Sequence, residues 1–326
     1  MDLEGYQRHL RGEGLPEESI RDRLSLIEDF DRFLDDAGLG KDRKAGKPEA
    51  EKFARRLMQT GRNTVENFSA LRDHAGFTGN RPLYVAWIEL MDCHNALEVL
   101  AGEIERRHGK DLREKIFPVQ PPSLGADEKE RCAYTRGIAE RLDGILSVHQ
   151  ARLAWFQVQH GIPAEDWRTS DAENREKFMR SKDIDDFLDL KRRERDALLA
   201  RLHEEDKLWY TVQITKEVLE FVKSDPEMEV GRREGEKIYI SKIPYNAVRY
   251  LQEPDPRRKR YFACHCPLVR RAILEDRPVP ADVCYCSLGH ASHYLAGIGG
   301  EYRGDVLESA LRGDLRCRFV FSPADA

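Results

Sequence analysis

Residues 261–274 read YFACHCPLVRRAIL, residues 280–293 read PADVCYCSLGHASH, and residues 312–323 read RGDLRCRFVFSP. These segments hold five of the seven cysteines of the chain, in two Cys-x-Cys pairs and one single position. The five are Cys264, Cys266, Cys284, Cys286 and Cys317. Such a concentration of thiols in one short region predicts a site that is built from cysteine side chains.

The two Cys-x-Cys pairs can supply the four sulfur ligands of a metal site. Thiolates are soft ligands that select zinc or iron, and structural zinc sites are tetrahedral. In an extended strand the sulfur atoms of residues i and i+2 lie roughly 6–7 Å apart, so each pair must bend to share one metal. Pro267 after the first pair and the turn-like Ser287-Leu288-Gly289 after the second are compatible with such bends. We therefore predict a metal site at the two pairs, with zinc as the expected metal and iron or an iron–sulfur cluster as the alternative.

Two other interpretations of these cysteines stay open. Buried reduced cysteines behave as small hydrophobic side chains, and neighbouring thiols can form a strained, labile disulfide. In a strand over the last segment, Leu315, Cys317, Phe319 and Phe321 share one face. Cys317 is therefore either a fifth candidate metal ligand or a core residue.

The composition is that of a large and highly charged globular chain. It has 326 residues, 35% of them charged, and a mean hydropathy of -0.66, and this length predicts two or three domains. No segment approaches the ~18 consecutive apolar residues of a membrane span, and the first residues lack the apolar core of a signal peptide. We expect a cytoplasmic protein with no membrane contact, in which clustered cysteines are thiols or metal ligands rather than a disulfide framework.

The hydrophobic pattern predicts an α+β protein in three parts. Residues 1–78 carry apolar positions at a period near 3.6, which predicts a helical N-terminal bundle. Residues 79–205 predict a helical middle region, and residues 206–326 predict a Cys-rich α/β domain. The period of the apolar residues changes in this last part. The segment TVQITKEVLEFVKS has a helical pattern, and KIYISKI after it alternates apolar and polar residues as a strand does.

Within the middle region the pattern predicts long helices with few interruptions. One helix starts at the N-cap Asn80 and ends at Gly109, a second pattern runs from residue 128 to about His160, and a third covers residues 184–206. The proline-rich segment PVQPPSLGADE, residues 118–128, predicts a linker or a tight crossover. Trp167 is expected in a loop.

Near the C-terminal end, Gly313-Asp314 suits a tight turn between two strands. Upstream of it, His290 and His293 share one face of the predicted helix at LGHASHYL, a geometry that places two side chains beside one ligand. No glutamate lies between them, so the zinc-protease pattern is absent. We expect His290 and His293 to line a small-molecule pocket rather than to bind the metal.

The N-terminal region resembles the SAM-like core-binding domain of phage integrases. The resemblance lies in HLRGEGLPEESI, FDRFLDDAGL and TGRNTVENFSALRDHAGF, and it implies a helical bundle that contacts DNA. Residues 1–78, however, contain 14 Lys and Arg against 16 Asp and Glu, a net charge of -2. That sign disfavours a surface that follows phosphates, so we do not expect a nucleic-acid partner.

The CHCP, CYCS and GDLRCRF motifs resemble those of a family of uncharacterised bacterial and archaeal proteins, over nearly the whole chain. The closing pattern Gly313, Asp314, Cys317 and Phe319 is also similar to vinyl-reductase-type ligand-binding domains and to L-2-amino-thiazoline-4-carboxylic acid hydrolase-like proteins. These resemblances imply an α/β domain with a small-molecule cavity and a cysteine-bound zinc. Only Cys317 is carried over as a matched motif position.

The sequence thus leads to one main hypothesis and two alternatives. The main hypothesis is a zinc-binding cytoplasmic protein with a small-molecule pocket in its C-terminal domain. The first alternative is a zinc- or thiol-dependent hydrolase of a small substrate, with Cys317, His290 and His293 as auxiliary groups and no assigned catalytic residue. The second is a nucleic-acid-binding regulator that uses the N-terminal bundle.

Overall fold

The computed structural model describes residues 3–39, 45–295, 298 and 301–324, apart from the side chains of residues 164 and 165. The chain forms two compact units. Unit 1 contains Met1–His94 and Pro122–Glu130, and unit 2 contains Asn95–Pro121 and Arg131–Ala326. The sequence predicts three parts instead, with boundaries after residues 78 and 205. That division stays a prediction.

Unit 1 is helical in its described residues. Its helices are α1 (Leu3–Gly12), α2 (Glu17–Asp36), α3 (Lys47–Gln59), α4 (Val65–Phe77) and α5 (Arg81–Met91). The helix starts follow local capping chemistry, because the side chains of Thr64 and Asn80 accept hydrogen bonds from the main-chain N–H groups of Asn67 and Leu83. The predicted N-cap at Asn80 is confirmed.

The core of unit 1 forms around Trp87, which is fully buried. The rings of Phe30 and Phe68 meet the indole edge-on, at centroid distances of 5.7 and 5.6 Å. The proline-rich segment returns to this core, since Asn63 donates to the carbonyl oxygen of Leu124 at 3.0 Å. The prediction of a crossover at residues 118–128 agrees with the assignment of Pro122–Glu130 to unit 1.

The single helix predicted from Asn80 to Gly109 is wrong. Helix α5 ends at Met91, and the next helix begins only at Ala96, after Cys93 has taken a left-handed conformation with φ of 57°. The boundary between the two units falls in this break, between His94 and Asn95. The apolar positions before the break belong to unit 1 and those after it belong to unit 2. The spacing of apolar residues does not show which unit buries them, so the pattern looked like one helix.

The helices of unit 2 surround a small antiparallel sheet. They are α6 (Ala96–His108), α7 (Lys110–Ile116), α8 (Glu128–Ile145), α9 (Val148–Phe156), α10 (Ala164–Arg180), α11 (Ile184–Glu204), α12 (Lys216–Ser224), α13 (Ala247–Gln252), α14 (Pro256–Ala263) and α15 (Tyr285–Ser292). Single 3₁₀ turns occur at Gln159–Gly161, Arg270–Leu274, Ala281–Cys284 and His293–Leu295. Together with unit 1 this is a helix-rich α+β protein, as the sequence predicts.

Two of the helical predictions need correction. The pattern from residue 128 to His160 divides into α8 and α9, because Ser147 caps α9 through a reciprocal hydrogen-bond pair with Gln150. Trp167 lies within α10 rather than in a loop. The predicted helix over residues 184–206 is confirmed as α11.

The strands of unit 2 are β1 (Leu208–Trp209), β2 (Val212–Gln213), β3 (Arg232–Glu234), β4 (Lys237–Ser241), β5 (Tyr302–Glu308) and β6 (Arg318–Pro323). Strands β1 and β2 form a hairpin, and the other four form an antiparallel sheet in the order β3-β4-β6-β5. Strand β4 covers the first five residues of the KIYISKI segment, and its buried Ile238 and Ile240 pair with the buried Phe321 and Phe319 of β6. The alternation predicted for both segments is confirmed, although β6 begins one residue after Cys317 and Leu315 is exposed.

Helix α15 is held unusually close to α9 and the turn that follows it. A Cβ atom on Gly289 would lie 1.9 Å from the carbonyl oxygen of Phe156, so only glycine permits this approach. The approach brings the C-terminal half of α15 next to the turn at Gln159–Gly161.

Among the described residues, no helix is both long and apolar enough to cross a membrane.

Candidate functional site

The Cys-x-Cys pairs lie where helices end and begin, and the sharing of one metal by each pair stays a prediction. Cys264 caps α14, and its N–H donates to the carbonyl oxygen of Arg260 at 3.1 Å. Cys266 opens a turn in which its own carbonyl oxygen accepts from the N–H of Arg270 at 2.9 Å. In the second pair, Cys284 ends a 3₁₀ turn and Cys286 lies in the first turn of α15.

All five of these cysteines come together in unit 2. Burial raises the pKa of the Cys264 thiol well above its ordinary value, and the proximity of Cys317 and Cys284 raises it further. Burial likewise raises the pKa of Cys266, and Cys264, Cys286 and Cys284 raise it further. Each thiolate would disfavour ionisation of its neighbours, which shows that the two pairs and Cys317 share one electrostatic neighbourhood.

Cys284 and Cys317 complete the group, which we call the thiol cluster (Cys264, Cys266, Cys284, Cys286 and Cys317). Burial raises the pKa of Cys284 to about 12, although a hydrogen-bond contact with the Ser309 hydroxyl, 3.1 Å away, acts in the opposite direction. Burial also raises the pKa of Cys317. No disulfide joins the seven cysteines, all of which lie in the described part of the chain.

Three cations lie close enough to the thiol cluster to favour its ionised form. Arg270 lowers the pKa of Cys264, Arg312 lowers that of Cys284, and Lys242 lowers that of Cys317, each against the larger effect of burial. Arg270 and Lys242 are buried. The cluster is therefore a set of protonated thiols in surroundings that would stabilise negative charge on sulfur.

The donor chemistry of the thiol cluster fits zinc or iron, because both metals take thiolate ligands. Within residues 3–39, 45–295, 298 and 301–324, however, no three His, Cys, Asp or Glu side chains are placed so that they could hold a metal ion. The described geometry therefore brings thiol side chains into one region without the coordination geometry of a metal site.

A second group of side chains, which we call the histidine cluster (His160, His265, His290 and His293), adjoins the thiols. The main-chain N–H of His160 donates to the sulfur of Cys286 at 3.2 Å. The imidazoles of His160 and His290 stack with their centroids 4.5 Å apart, which is the contact that the close approach at Gly289 permits. Helix α15 therefore carries a member of each cluster, Cys286 and His290.

Trp167 separates the two histidines that the sequence singled out. Its indole stacks on His293 at a centroid distance of 4.2 Å and meets His290 edge-on at 5.1 Å. His293 contacts the side-chain oxygen of Gln159 at 2.7 Å, and its other ring nitrogen lies 3.7 Å from a carboxylate oxygen of Asp171, which is beyond hydrogen-bond distance. The rings of His290 and His293 thus both contact Trp167, and their place in a small-molecule pocket stays a prediction.

Burial disfavours the protonated form of these histidines. Burial lowers the pKa of His160 and of His290 well below the usual range, and it lowers the pKa of His265 to about 3. The charge of Lys242 lowers all three further. Nε2 of His265 lies 2.5 Å from the carbonyl oxygen of Ile243, so in the neutral ring this nitrogen is the one that carries the proton.

Glu229 closes the histidine cluster on the side of the sheet. Glu229 is buried, and its main chain has a left-handed conformation with φ of 59°. Its carboxylate accepts from the N–H of Ile243 and from the hydroxyl of Tyr294, both at 2.9 Å. Burial, followed by the charge of Glu229, raises the pKa of Tyr294 well above its ordinary value, so the hydroxyl remains a donor.

Sequence reasoning identified the cysteines, His290 and His293, but it missed His160, Lys242, Glu229 and Tyr294. Nothing local marks His160, Lys242 and Glu229, because they reach the site through tertiary packing, whereas Tyr294 directly follows His293 in the segment LGHASHYL. His265 carried the one available signal, since it lies between two cysteines of a predicted site.

Comparison of the chain with protein-family models, with curated proteins and with solved structures finds no match in any of the three.

Proposed function

We propose that unit 2 binds one metal ion through the thiolates of Cys264, Cys266, Cys284 and Cys286 and holds a small molecule beside it. Zinc is the proposed metal, ahead of iron or an iron–sulfur cluster, and Cys317 is an additional candidate ligand. The observation that carries this proposal is the convergence of five thiols from three separate segments of chain on one another. A random placement of cysteines in a core would not bring both pairs and the single cysteine together.

The surroundings of the thiol cluster support ionised sulfur ligands. Zinc with four thiolates carries a net negative charge, because the four ligand charges outweigh the charge of Zn²⁺. Arg270, Arg312 and Lys242 act on three of the sulfurs with the opposite charge. With four protein ligands such a zinc is structural, whereas with three and a bound water it would supply an activated water.

A second candidate function is the hydrolysis of a small substrate, and the histidine cluster is the observation that favours it. Nε2 of His160 and Nδ1 of His290 are buried and have no hydrogen-bond partner among the residues that the structure describes. A neutral imidazole with an unpartnered nitrogen can accept a proton from a substrate or a water molecule. Cys317 and His293 would be auxiliary groups in such an enzyme.

We further propose that residues 1–78 form a SAM-like bundle in a cytoplasmic protein. Support comes from helices α1 to α4 and the apolar side chains that they bury. The net charge of -2 over residues 1–78 argues for a fold of this kind without a nucleic-acid function.

The test of the metal proposal is elemental analysis of protein purified without chelator. We expect about one zinc per chain in the wild type and its loss in a Cys264→Ser plus Cys284→Ser variant. That variant should also melt at a much lower temperature, because metal binding contributes on the order of 10–16 kcal/mol to the folding of zinc-finger peptides.

The matched control is Cys93→Ser, since Cys93 lies in unit 1 and outside the thiol cluster. It should keep the metal in full. A double variant that retains the metal, or a wild type that carries none, would show that the five cysteines are core residues or redox thiols.

A further inference from the structure

Unit 1 contains a cavity of about 330 Å³ that the proposed function does not use. It lies among α2, α4 and the start of α5, and its apolar wall is part of the buried core of unit 1, formed by Phe30, Leu34, Ala45, Leu71, Ala75 and Leu83. Pockets that bind small molecules begin at ~300 Å³, and an apolar cavity of ~150 Å³ already holds benzene. The cavity of unit 1 is therefore large enough for a molecule with two fused aromatic rings.

The wall of this cavity also contains a buried imidazole, that of His74 in α4. The residue is 6% exposed, and the ring of Tyr6 meets the imidazole edge-on at a centroid distance of 4.9 Å, which holds the imidazole in place. Nε2 of His74 is buried and has no hydrogen-bond partner among the described residues. Because buried polar groups are normally hydrogen-bonded, His74 is the side chain of the wall that calls for a partner inside the cavity.

The two uncharged polar side chains of the wall, Thr78 and Asn80, are already engaged. The hydroxyl of Thr78 donates to the main-chain carbonyl oxygen of His74 at 3.0 Å. The side-chain oxygen of Asn80 accepts from the N–H of Leu83 at 3.2 Å, and its amide donates to the carbonyl oxygen of Ala45 at 3.3 Å. The imidazole is thus the group that can recognise a polar atom of a ligand.

The imidazole of His74 is neutral near pH 7, because burial lowers its pKa to about 4. A neutral imidazole has one donor nitrogen and one acceptor nitrogen. A hydroxyl group both donates and accepts, so it can form a hydrogen bond with this ring in either tautomer.

The carboxylates of Asp31 and Asp35 in α2 line the same cavity. Both already interact with other groups of the chain, so they do not call for a cationic ligand. A carboxylate or phosphate group of a ligand would be repelled by them, since like charges repel most strongly where water is excluded. The wall therefore favours a ligand without charge.

We propose that this cavity binds a small uncharged aromatic alcohol, with its rings among the apolar side chains and its hydroxyl on the imidazole of His74. The ring of Phe30 in the wall favours an aromatic ligand over an aliphatic one of the same volume. The site belongs to unit 1, whereas the thiol cluster belongs to unit 2. The competing explanation is that a water molecule satisfies His74 and the cavity holds no organic ligand.

The test is equilibrium dialysis of the full chain at pH 7 against 2-naphthol, 2-methylnaphthalene and 2-naphthoate. These probes share one ring system, and the second replaces the hydroxyl by a methyl group while the third carries a negative charge. We expect 2-naphthol to bind at least tenfold more tightly than 2-naphthoate. His74→Phe keeps an aromatic ring without a hydrogen-bonding atom, so it should weaken the binding of 2-naphthol at least threefold and should not weaken that of 2-methylnaphthalene.

Two further variants show whether binding takes place in this cavity. Ala75→Leu fills part of it and should weaken the binding of 2-naphthol and of 2-methylnaphthalene at least tenfold. The matched control His94→Phe alters an exposed histidine of the same unit and should change neither affinity.

The proposal is overturned where the wild type does not bind 2-naphthol, where 2-naphthoate binds as tightly, or where Ala75→Leu leaves the affinity unchanged. An equal loss of affinity for 2-naphthol and 2-methylnaphthalene in His74→Phe would also overturn it, because the hydroxyl would then make no contact with the imidazole. Should thermal melting show that His74→Phe does not fold, the comparison with 2-naphthoate and the Ala75→Leu variant decide the outcome.

Discussion

At the scale of single residues, Gly289 determines how the two clusters are brought together. It is the position where α15 approaches the carbonyl oxygen of Phe156, and a Cβ atom there would lie only 1.9 Å from that oxygen. Main-chain atoms cannot move aside as a flexible side chain does. The stacking of His160 on His290 therefore depends on a residue that has no side chain of its own.

We predict that Gly289→Ala destabilises the protein by about 2 kcal/mol or more, since overpacking of this kind costs ~1–3 kcal/mol and here displaces backbone. Chemical denaturation of the two proteins measures the difference. Gly144→Ala in α8 is the control, because a Cβ atom there meets nothing within 4 Å. It should be neutral or stabilising by up to ~1 kcal/mol, and equal effects of the two substitutions would contradict the close approach.

Residue patterns revealed the thiol cluster because the cysteines recur at short spacing. Sequence spacing also placed His290 and His293 together, since they lie three positions apart near the end of one helix. Lys242 and His160 have no such signature, because the contact of His160 with Cys286 joins positions that are far apart in the chain. The cysteines and two of the histidines of the candidate site could therefore be predicted from the sequence. The charge of Lys242 and the imidazole of His160 could not.

At the scale of elements, the sheet is joined to the segment before β3 by a buried ion pair. Glu227, whose side chain is 5% exposed, accepts two hydrogen bonds from the guanidinium of Arg318 in β6, at 2.6 and 2.8 Å. Burial alone would raise the pKa of Glu227, but Arg318, together with the hydrogen bond of Arg232 and the charge of Arg316, outweighs it, and the pKa is lowered. A lowered pKa in the folded state means that the ionised carboxylate stabilises the fold.

We predict that Glu227→Gln destabilises the protein by about 2 kcal/mol at pH 7. The cost of leaving a buried charge without its partner is ~3–5 kcal/mol, and Arg318 keeps a weaker contact with Glu308 at 3.7 Å. The contribution of Glu227 is present in full above the ordinary pKa of 4.5 and is lost as the pH falls through the lowered value. The stability difference from the wild type should therefore shrink below pH 4.5.

Denaturation curves at several pH values measure this difference. Glu220→Gln is the control, because Glu220 is exposed and its ion pair with Lys216 spans 3.9 Å. It should change stability little at any pH. A difference between wild type and Glu227→Gln that stays constant down to acidic pH would show that the charge of Glu227 does not stabilise the sheet.

Elements with a strong local pattern could be predicted, and elements whose ends depend on packing could not. Strand β4 and helix α11 follow directly from alternation and from helical periodicity. The break after Met91 and the cap at Ser147 lie inside continuous apolar patterns, because the cores that receive the two sides are not visible in a linear sequence. The same limit explains why Trp167, isolated among polar residues, looked like a loop residue.

At the scale of the whole molecule, the net charge is the property that bears on nucleic-acid binding. The chain carries a net charge of -5, and residues 1–78 contribute -2 of it from 14 basic and 16 acidic residues. Binding to duplex DNA requires cations that replace the counter-ions of the phosphates. A helical bundle without a basic excess lacks the main source of such affinity, whatever its fold resembles.

We therefore predict that the protein binds duplex DNA no more tightly than a nonspecific Kd of ~10⁻⁴ to 10⁻⁶ M at physiological salt. Fluorescence anisotropy with a labelled duplex, repeated at several salt concentrations, measures this affinity. As a control, Glu18→Lys plus Asp22→Lys adds positive charge to exposed positions of α2 and should tighten binding in a salt-dependent manner, since added cations act on any duplex. Nanomolar and sequence-selective binding by the wild type would instead establish unit 1 as a DNA-reading module, because affinity of that kind cannot come from an acidic surface without specific contacts to the bases.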